Sequence, residues 1–274
     1  MTDALLDTHC HIDAYPDPSE VLARTAAAGV HVVAVTNTPD AYRRLATLLP
    51  RSGPARPALG LHPLHAHELG LAGALRFARL ATQAAWIGEI GLDFSPPGRS
   101  TREAQLAVFD ALLALPQMHD RPVSVHTRGA ERVAVRRLID AGVPAVLHWY
   151  TGPLGVADDA LAAGMSFSVN PAMVTSAKGR ALLTRLPHDR VLLETDGPYA
   201  QRDRRPYEPA DLSTLVVELA QLWGTSTERV RAHVCDNQHR LVAHTPTDLD
   251  AGGRRPRYSP RTLLDPDPPE DGAS

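Results

Sequence analysis

About eight short apolar runs, rich in Val, Ile, Leu and Ala, recur along this chain of 274 residues, and most of them end in a histidine, a carboxylate or an amide. Runs of this length and composition predict strands that are covered on both faces. Segments with helical periodicity separate them, for example 19–28, 101–115, 131–141 and 210–223. Alternating strands and helices in this number predict an α/β fold, a (β/α)8 TIM barrel.

Histidines and carboxylates stand at the ends of these strands, which is where the chemistry of a (β/α)8 barrel lies. His9 and His11 begin the set, and side chains two residues apart point to the same side of a strand. The last strand leads through Glu194 and Thr195 to Asp196. The six candidate metal ligands are His9, His11, Glu89, His126, His148 and Asp196.

Four imidazoles and two carboxylates exceed the needs of one tetrahedral zinc ion and suit two divalent ions that share a bridging ligand. We expect Glu89 to be the bridge and Asp196 also to accept the proton of an attacking water, which makes both catalytic residues of a hydrolase. Mixed donors of this kind accept Mg, Mn, Zn or Ni, so the pattern leaves the metal open. The other expected ligands are His9 and His11, together with Asp196, for one ion, and His126 and His148 for the second.

Length and composition predict one barrel domain over residues 1–244 and a disordered tail over 245–274, because the tail is rich in Pro, Asp, Arg and Gly. Near the N-terminus we find no signal peptide and no apolar run of membrane length, which predicts a cytoplasmic protein without a membrane partner. Two cysteines, Cys10 and Cys235, provide no disulfide framework.

The net charge of −3 argues against broad attraction to nucleic acid, although local basic patches can still bind phosphates. Arg128 follows the strand that ends at His126, while Arg204 and Arg205 follow the last strand. We therefore expect these three arginines to contact the substrate. His62, just before a proline, is expected beside the centre, as a substrate contact or as a hydrogen-bond donor to a ligating carboxylate.

Six motifs stand in order along the chain: Asp-Thr-His-Cys-His-Ile-Asp at 7–13, Gly-Leu-His-Pro at 60–63, Gly-Glu-Ile-Gly-Leu-Asp at 88–93, Val-His-Thr-Arg at 125–128, Leu-His-Trp-Tyr-Thr-Gly at 147–152 and Leu-Glu-Thr-Asp-Gly-Pro-Tyr at 193–199. Together they resemble the TatD family of metal-dependent deoxyribonucleases. The resemblance extends from Leu5 to Leu241 and implies a TIM barrel of the metal-dependent hydrolase type. It also implies a phosphodiesterase that removes nucleotides from DNA ends, with divalent ions on the six ligands named above.

Four segments, at 13–18, 35–39, 148–150 and 167–173, carry a narrower resemblance. They resemble QatD, the TatD-like component of Qat anti-phage defence systems. This resemblance implies that the protein works against phage beside other Qat proteins.

The chain also departs from the common TatD pattern, with Trp149 where Cys-Phe usually follows the histidine and Gly197 where Ala usually precedes the proline. These changes keep the ligands but alter the pocket wall.

Several neighbouring side chains have two interpretations. Asp93 orients a ligand or caps a loop, and Glu194 is an inward-facing barrel residue or a further ligand. Trp149 and Tyr150 stack on a base or pack at the barrel rim. His65 lies after a proline and is expected to be solvated.

Two rival functions stay open at this point. One is a general amidohydrolase that acts on small molecules. Many binuclear members of that superfamily use a carboxylated lysine on the fourth strand, whereas this chain has Glu89 there and its single lysine, Lys178, far away. Glu89 favours the nuclease, but mononuclear deaminases need no such lysine. The other rival is a scaffold that binds partner proteins and has little activity alone.

Overall fold

In a computed structural model, which describes residues 4–50 and 52–243, eight parallel strands form a closed barrel and confirm the predicted (β/α)8 fold. Each strand pairs with the next in chain order, and β1 closes on β8, where Asp7 lies opposite Leu193. The strands are β1 (Leu5–Cys10), β2 (Val30–Ala34), β3 (Ala55–Leu59), β4 (Trp86–Gly91), β5 (Val123–His126), β6 (Ala145–His148), β7 (Ser166–Val169) and β8 (Val191–Leu193).

Helices surround the barrel, and the predicted segments match them to within about two residues at each end. Gly142 and Gly224 stop α6 and α10 in the left-handed conformation, with φ of 66° and 62°. The helices are α1 (Pro18–Ala27), α2 (Pro39–Leu48), α3 (Ala66–Ala81), α4 (Arg102–Leu113), α5 (Gln117–Asp120), α6 (Glu131–Ala141), α7 (Leu154–Ala162), α8 (Pro171–Thr175), α9 (Ala177–Arg185), α10 (Leu212–Trp223) and α11 (Thr227–Ala243).

Side chains of helix α11 form hydrogen bonds with the backbone of both the first and the last strand regions at the amino-terminal end of the barrel. The side chain of Gln238 accepts a hydrogen bond from Leu6 N at 3.0 Å and donates one to Ala4 O at 2.6 Å. Asn237 donates to Val191 O at the start of β8. Buried backbone groups at the closure of the barrel are thereby paired, which avoids the cost of leaving them without partners.

The opposite end of the barrel is unusual because its buried side chains are polar. Apolar side chains of the strands pack against the helices in a core that contains Phe77, Phe109 and Phe167. At the carboxyl ends of the strands, buried carboxylates and imidazoles replace them. Burying such groups costs free energy unless they are paired or hold a metal, so this end of the barrel is the candidate site.

A short hairpin, β9 (Gln201–Arg202) and β10 (Arg205–Pro206), follows β8. The predicted disordered tail over 245–274 lies outside the described residues, so the domain boundary at 244 stays a prediction. Among the helices of the described ranges, we find none long and apolar enough to cross a membrane.

Candidate metal centre

The structure brings all six predicted ligands together at the carboxyl end of the barrel. They come from five places in the fold: the end of β1, the middle of β4, the ends of β5 and β6, and the loop after β8. Five of the six residues are at most 5% exposed, and the His126 side chain is 15% exposed. Residues distant in sequence thus form one buried cluster.

Glu89 lies between two pairs of imidazoles. Its Oε2 is 3.3 Å from His11 Nε2 and 3.7 Å from His9 Nε2. Its Oε1 is 2.7 Å from His126 Nδ1 and 2.8 Å from His148 Nε2. One carboxylate oxygen therefore faces each pair, as a bridging carboxylate requires.

Asp196 completes the side of the first pair. Its Oδ1 is 3.6 Å from both His9 Nε2 and His11 Nε2, and these three residues form one group whose ligand atoms could hold an ion. The Asp196 backbone has φ of 49°, a left-handed conformation that is rare outside glycine. Asp196 N donates to His9 O at 2.9 Å, which fixes this conformation and the carboxylate over the barrel mouth.

The hydrogen bonds of His126 test whether the cluster suits a cation. Its Nε2 lies 2.9 Å from Asp93 Oδ2, which makes Nε2 the protonated nitrogen if the imidazole is neutral. Its Nδ1 lone pair then points at Glu89 Oε1 and lies 3.3 Å from His148 Nε2. Converging lone pairs repel each other, and a cation among them turns this repulsion into coordination. The donor set fits divalent metal ions.

Burial and neighbouring charges set the pKa values of the two carboxyls in opposite directions. Burial raises the pKa of Asp196 to about 7, although His148 and His11 oppose the shift. Burial also raises the pKa of Glu89, but His62 and His148 outweigh it, and the pKa lies well below its usual range. Glu89 therefore stays ionised at neutral pH, as a bridging ligand must.

Outer residues hold the imidazoles in place. Ser124 Oγ lies 2.7 Å from His9 Nδ1, so the Nε2 of His9 is left for the centre. Asp93 orients His126 and also accepts a hydrogen bond from Ser95 N, so both interpretations of Asp93 hold. Partners of this kind fix the tautomer and direction of a metal-binding imidazole.

Glu194 is an inward-facing barrel residue that is fully buried. Its carboxylate accepts hydrogen bonds from Asn170 Nδ2, from Ser168 Oγ and from the backbone N of Trp149. It also lies 3.7 Å from His148 Nδ1, so it stabilises positive charge on that ring without belonging to the ligand cluster. Glu194 thus supports the ligand at the end of β6.

Sequence reasoning missed Ser124 and Asp7 as parts of the site. Asp7 accepts hydrogen bonds from His9 N and from Thr195 N and Oγ1, so it joins β1 to the loop that carries Asp196. Both residues precede a histidine of the cluster by two positions. The period-two rule that paired His9 with His11 extends to them and could have found both.

A cavity of about 580 Å³ opens above the ligands. Arg128, His62 and Tyr199 line it, and His62 Nε2 lies 3.6 Å from Glu89 Oε1. The expectation for His65 was only partly right, because its side chain is 40% exposed but also lines the cavity. Trp149 lines the cavity as well.

Tyr150 and the arginines of the hairpin lie away from the cavity lining. Tyr150 is 1% exposed and donates to Pro153 O, so packing is its role. Arg204 and Arg205 lie at the β9–β10 hairpin, and Arg205 forms an ion pair with Asp211 at 2.7 Å. Their expected contact with substrate stays a prediction.

Comparisons with known proteins agree with this geometry. Residues 6–243 match the model of the family TatD related DNase. The chain is 31% identical over 262 residues to putative deoxyribonuclease tatdn3 of Danio rerio, covering 89% of this chain and 98% of the relative. It is 33% identical over 243 residues to the 3'-5' ssDNA/RNA exonuclease TatD of Pantoea vagans, covering 82% and 93%.

A solved structure extends the likeness to the fold. The crystal structure of YJJV, a TatD homologue from Escherichia coli, superposes with a TM-score of 0.79 at 25% identity, covering 88% of this chain and 98% of that one. The barrel and the order of its strands are therefore shared over nearly the whole described chain.

A substitution at Ser124 tests whether its contact with His9 helps the cluster to bind metal. We expect Ser124→Ala to weaken Mn²⁺ binding by about 10-fold or more, because the His9 ring loses the partner that fixes its tautomer. Titration of the metal-free protein with Mn²⁺, followed calorimetrically, measures the change. Ser213→Ala, on the exposed face of α10, is the matched control. Unchanged affinity in Ser124→Ala would contradict the role given to Ser124.

Proposed function

The chain belongs to the family TatD related DNase, a family of metal-dependent hydrolases, and we propose that it removes nucleotides from DNA ends by hydrolysing phosphodiester bonds. The observation that carries this proposal is the position of Glu89 between two imidazole pairs, at the floor of the cavity. A centre of this form suits two divalent ions, which act on phosphodiesters in many nucleases and phosphatases.

The six ligands divide into two proposed sites. His9, His11 and Asp196 would hold one ion, His126 and His148 would hold the other, and Glu89 would be shared by both. Divalent ions supply two things to such a reaction: they neutralise charge on the phosphate, and they lower the pKa of water.

The side chains of the protein position the reacting groups and accept the proton of the water. Asp196 lies at the cavity floor, 4% exposed and held by the bond between its backbone and His9 O, so its carboxylate can accept a proton from the attacking water. Glu89 and Asp196, the proposed catalytic residues, are both fixed by neighbours before substrate arrives. Fixed groups need no reorganisation during the reaction.

The size of the cavity supports attack at an end. Its volume of about 580 Å³ lies within the range of about 300–1,000 Å³ that is usual for pockets binding small molecules. A pocket of this size has room for the terminal nucleotide of a strand. We therefore propose an exonuclease, and the same pocket chemistry admits a terminal ribonucleotide.

Arg128 is the proposed phosphate-binding residue. It is exposed, it lines the cavity, and no carboxylate of the described residues forms an ion pair with it. In the β9–β10 hairpin, Arg202 and Arg205 are already neutralised by Glu218 and Asp211. A free guanidinium binds phosphate more readily than a paired one, because the paired group must first give up its carboxylate.

The resemblance of four segments to QatD supports a finer proposal. In it, the protein trims or degrades nucleic acid beside other Qat components during defence against phage. The genes that adjoin this one offer the first check, since a Qat role requires the other Qat components to be encoded there.

The nuclease proposal has a direct test. With Mg²⁺, Mn²⁺ or Zn²⁺ added separately, we expect the protein to shorten end-labelled single-stranded DNA from one end, and His126→Ala to lower the rate by at least about 100-fold. Duplex DNA and RNA of the same sequence run in parallel and define the preferred substrate. Full occupancy by metal without any cleavage of these substrates would contradict the proposal.

Arg128→Ala tests the phosphate contact. We expect kcat/KM on single-stranded DNA to fall about 10- to 100-fold, the loss of one charge-assisted hydrogen bond of about 1.5–3 kcal/mol, with metal affinity unchanged. Arg136→Ala, 73% exposed on α6, is the matched control and should keep the rate of the unaltered protein. Arg205→Ala in the same assay tests the remaining expectation for the hairpin. A rate unaffected by Arg128→Ala would exclude the contact.

A further inference from the structure

Tyr199 is an aromatic side chain left open at the wall of the cavity. Among the five tyrosines of the described residues, it alone is exposed, at 56%, whereas Tyr15, Tyr42, Tyr150 and Tyr207 are at most 6% exposed. It lines the cavity together with the metal ligands. An exposed aromatic ring in a cavity favours ligand binding, because covering the ring with a ligand removes apolar surface from water and lowers the free energy.

The ring of Tyr199 is held in one orientation. Its inner side meets the His11 imidazole, with ring centroids 4.8 Å apart and planes at 76°. The Asn37 side chain, in the loop after β2, lines the same cavity. The backbone around it is also fixed, since His11 N donates to Gly197 O at 2.8 Å. A flat apolar face is thus presented at little cost in conformational entropy.

The position of Tyr199 relates this face to the chemistry. The His11 ring that it touches lies with its Nε2 3.3 Å from Glu89 Oε2. One imidazole therefore separates the Tyr199 ring from the proposed bridging carboxylate. A phosphodiester bound at the centre would have its nearest sugar and base within reach of this ring.

The other aromatic residue of the cavity is less open. Trp149 is half-buried and packs against the hydrophobic core, and its backbone N is bonded to Glu194. Much of its ring is therefore already occupied by the protein. Tyr199 is the aromatic face with the most surface available to a ligand.

We propose that Tyr199, packed against His11, is a nucleobase-binding site on which the terminal base of the substrate stacks. This inference rests on the proposed function and names the part of the substrate that the pocket recognises. Every base offers a π-face, so the site accepts all four bases and binds a terminus that lacks a base less tightly.

A binding experiment tests stacking without relying on hydrolysis. The metal-loaded protein is titrated with a single-stranded oligonucleotide that carries 2-aminopurine at its end and a phosphorothioate at its last linkage. We expect fluorescence of the terminal 2-aminopurine to be quenched by the protein and by Tyr199→Phe, which keeps the ring. Tyr199→Leu keeps an apolar side chain but has no ring, and the quenching should be lost. The same quenching in Tyr199→Leu would overturn the base site.

A kinetic experiment measures the same contact in turnover. Oligonucleotides ending in a normal or an abasic nucleotide are compared, with the modification placed at either end. We expect the protein to prefer the normal end by about 10-fold in kcat/KM and Tyr199→Leu to prefer it by less than about 2-fold, since stacking of one base is worth about that factor or more. An unchanged preference in Tyr199→Leu would overturn the proposal, and unchanged Mn²⁺ affinity shows that the centre of the variant is intact.

The two experiments separate this inference from the nuclease proposal. Ring-dependent quenching without cleavage of any oligonucleotide would keep the base site and contradict the nuclease. Cleavage with the same base preference and the same quenching in Tyr199→Leu would keep the nuclease and contradict the base site. No binding of the oligonucleotide would contradict both.

Discussion

Two oxygens of one buried carboxylate, Glu89, face two pairs of imidazoles, and the mouth of the barrel is arranged around this contact. The imidazoles lie at the ends of β1, β5 and β6, so the carboxylate on β4 can reach all of them only if the barrel is closed. Without a cation, such a concentration of buried lone pairs would be costly. Positive charge at this end of the barrel would therefore stabilise the folded protein, and divalent metal ions provide such charge.

Closure between the first and last strands is the second requirement. At the carboxyl end, Asp7 links β1 to Thr195, and Asp196 N is bonded to His9 O. At the amino-terminal end, Gln238 of α11 satisfies the backbone of β1. The same connection that closes the barrel brings Asp196 to His9 and His11 and presents Tyr199 to the cavity, so stability and site geometry depend on one set of hydrogen bonds.

Much of this arrangement was predictable from sequence. The alternation of strands and helices predicted the barrel. The six clustered residues were predicted because active-site residues of such barrels lie at the carboxyl ends of the strands, and parallel strands bring these ends together. Loop conformation was less accessible. Tyr199 lines the cavity, Tyr150 is buried, and Arg205 forms an ion pair with Asp211. In a loop after a strand, tertiary contacts set the direction of a side chain, and the two-residue period of the strand no longer predicts it. Ser124 and Asp7 lie two residues before His126 and His9, so the period-two rule places both on the ligand side of their strands.

If Glu89 bridges two metal ions, electron paramagnetic resonance of the Mn²⁺-loaded protein will detect it. Two ions sharing a carboxylate have coupled electron spins. We predict two Mn²⁺ per chain with the spectrum of a coupled pair, and separate, uncoupled signals or the loss of one ion in Glu89→Gln. A single Mn²⁺ in the unaltered protein, or two ions whose spectrum shows no coupling, would contradict the account.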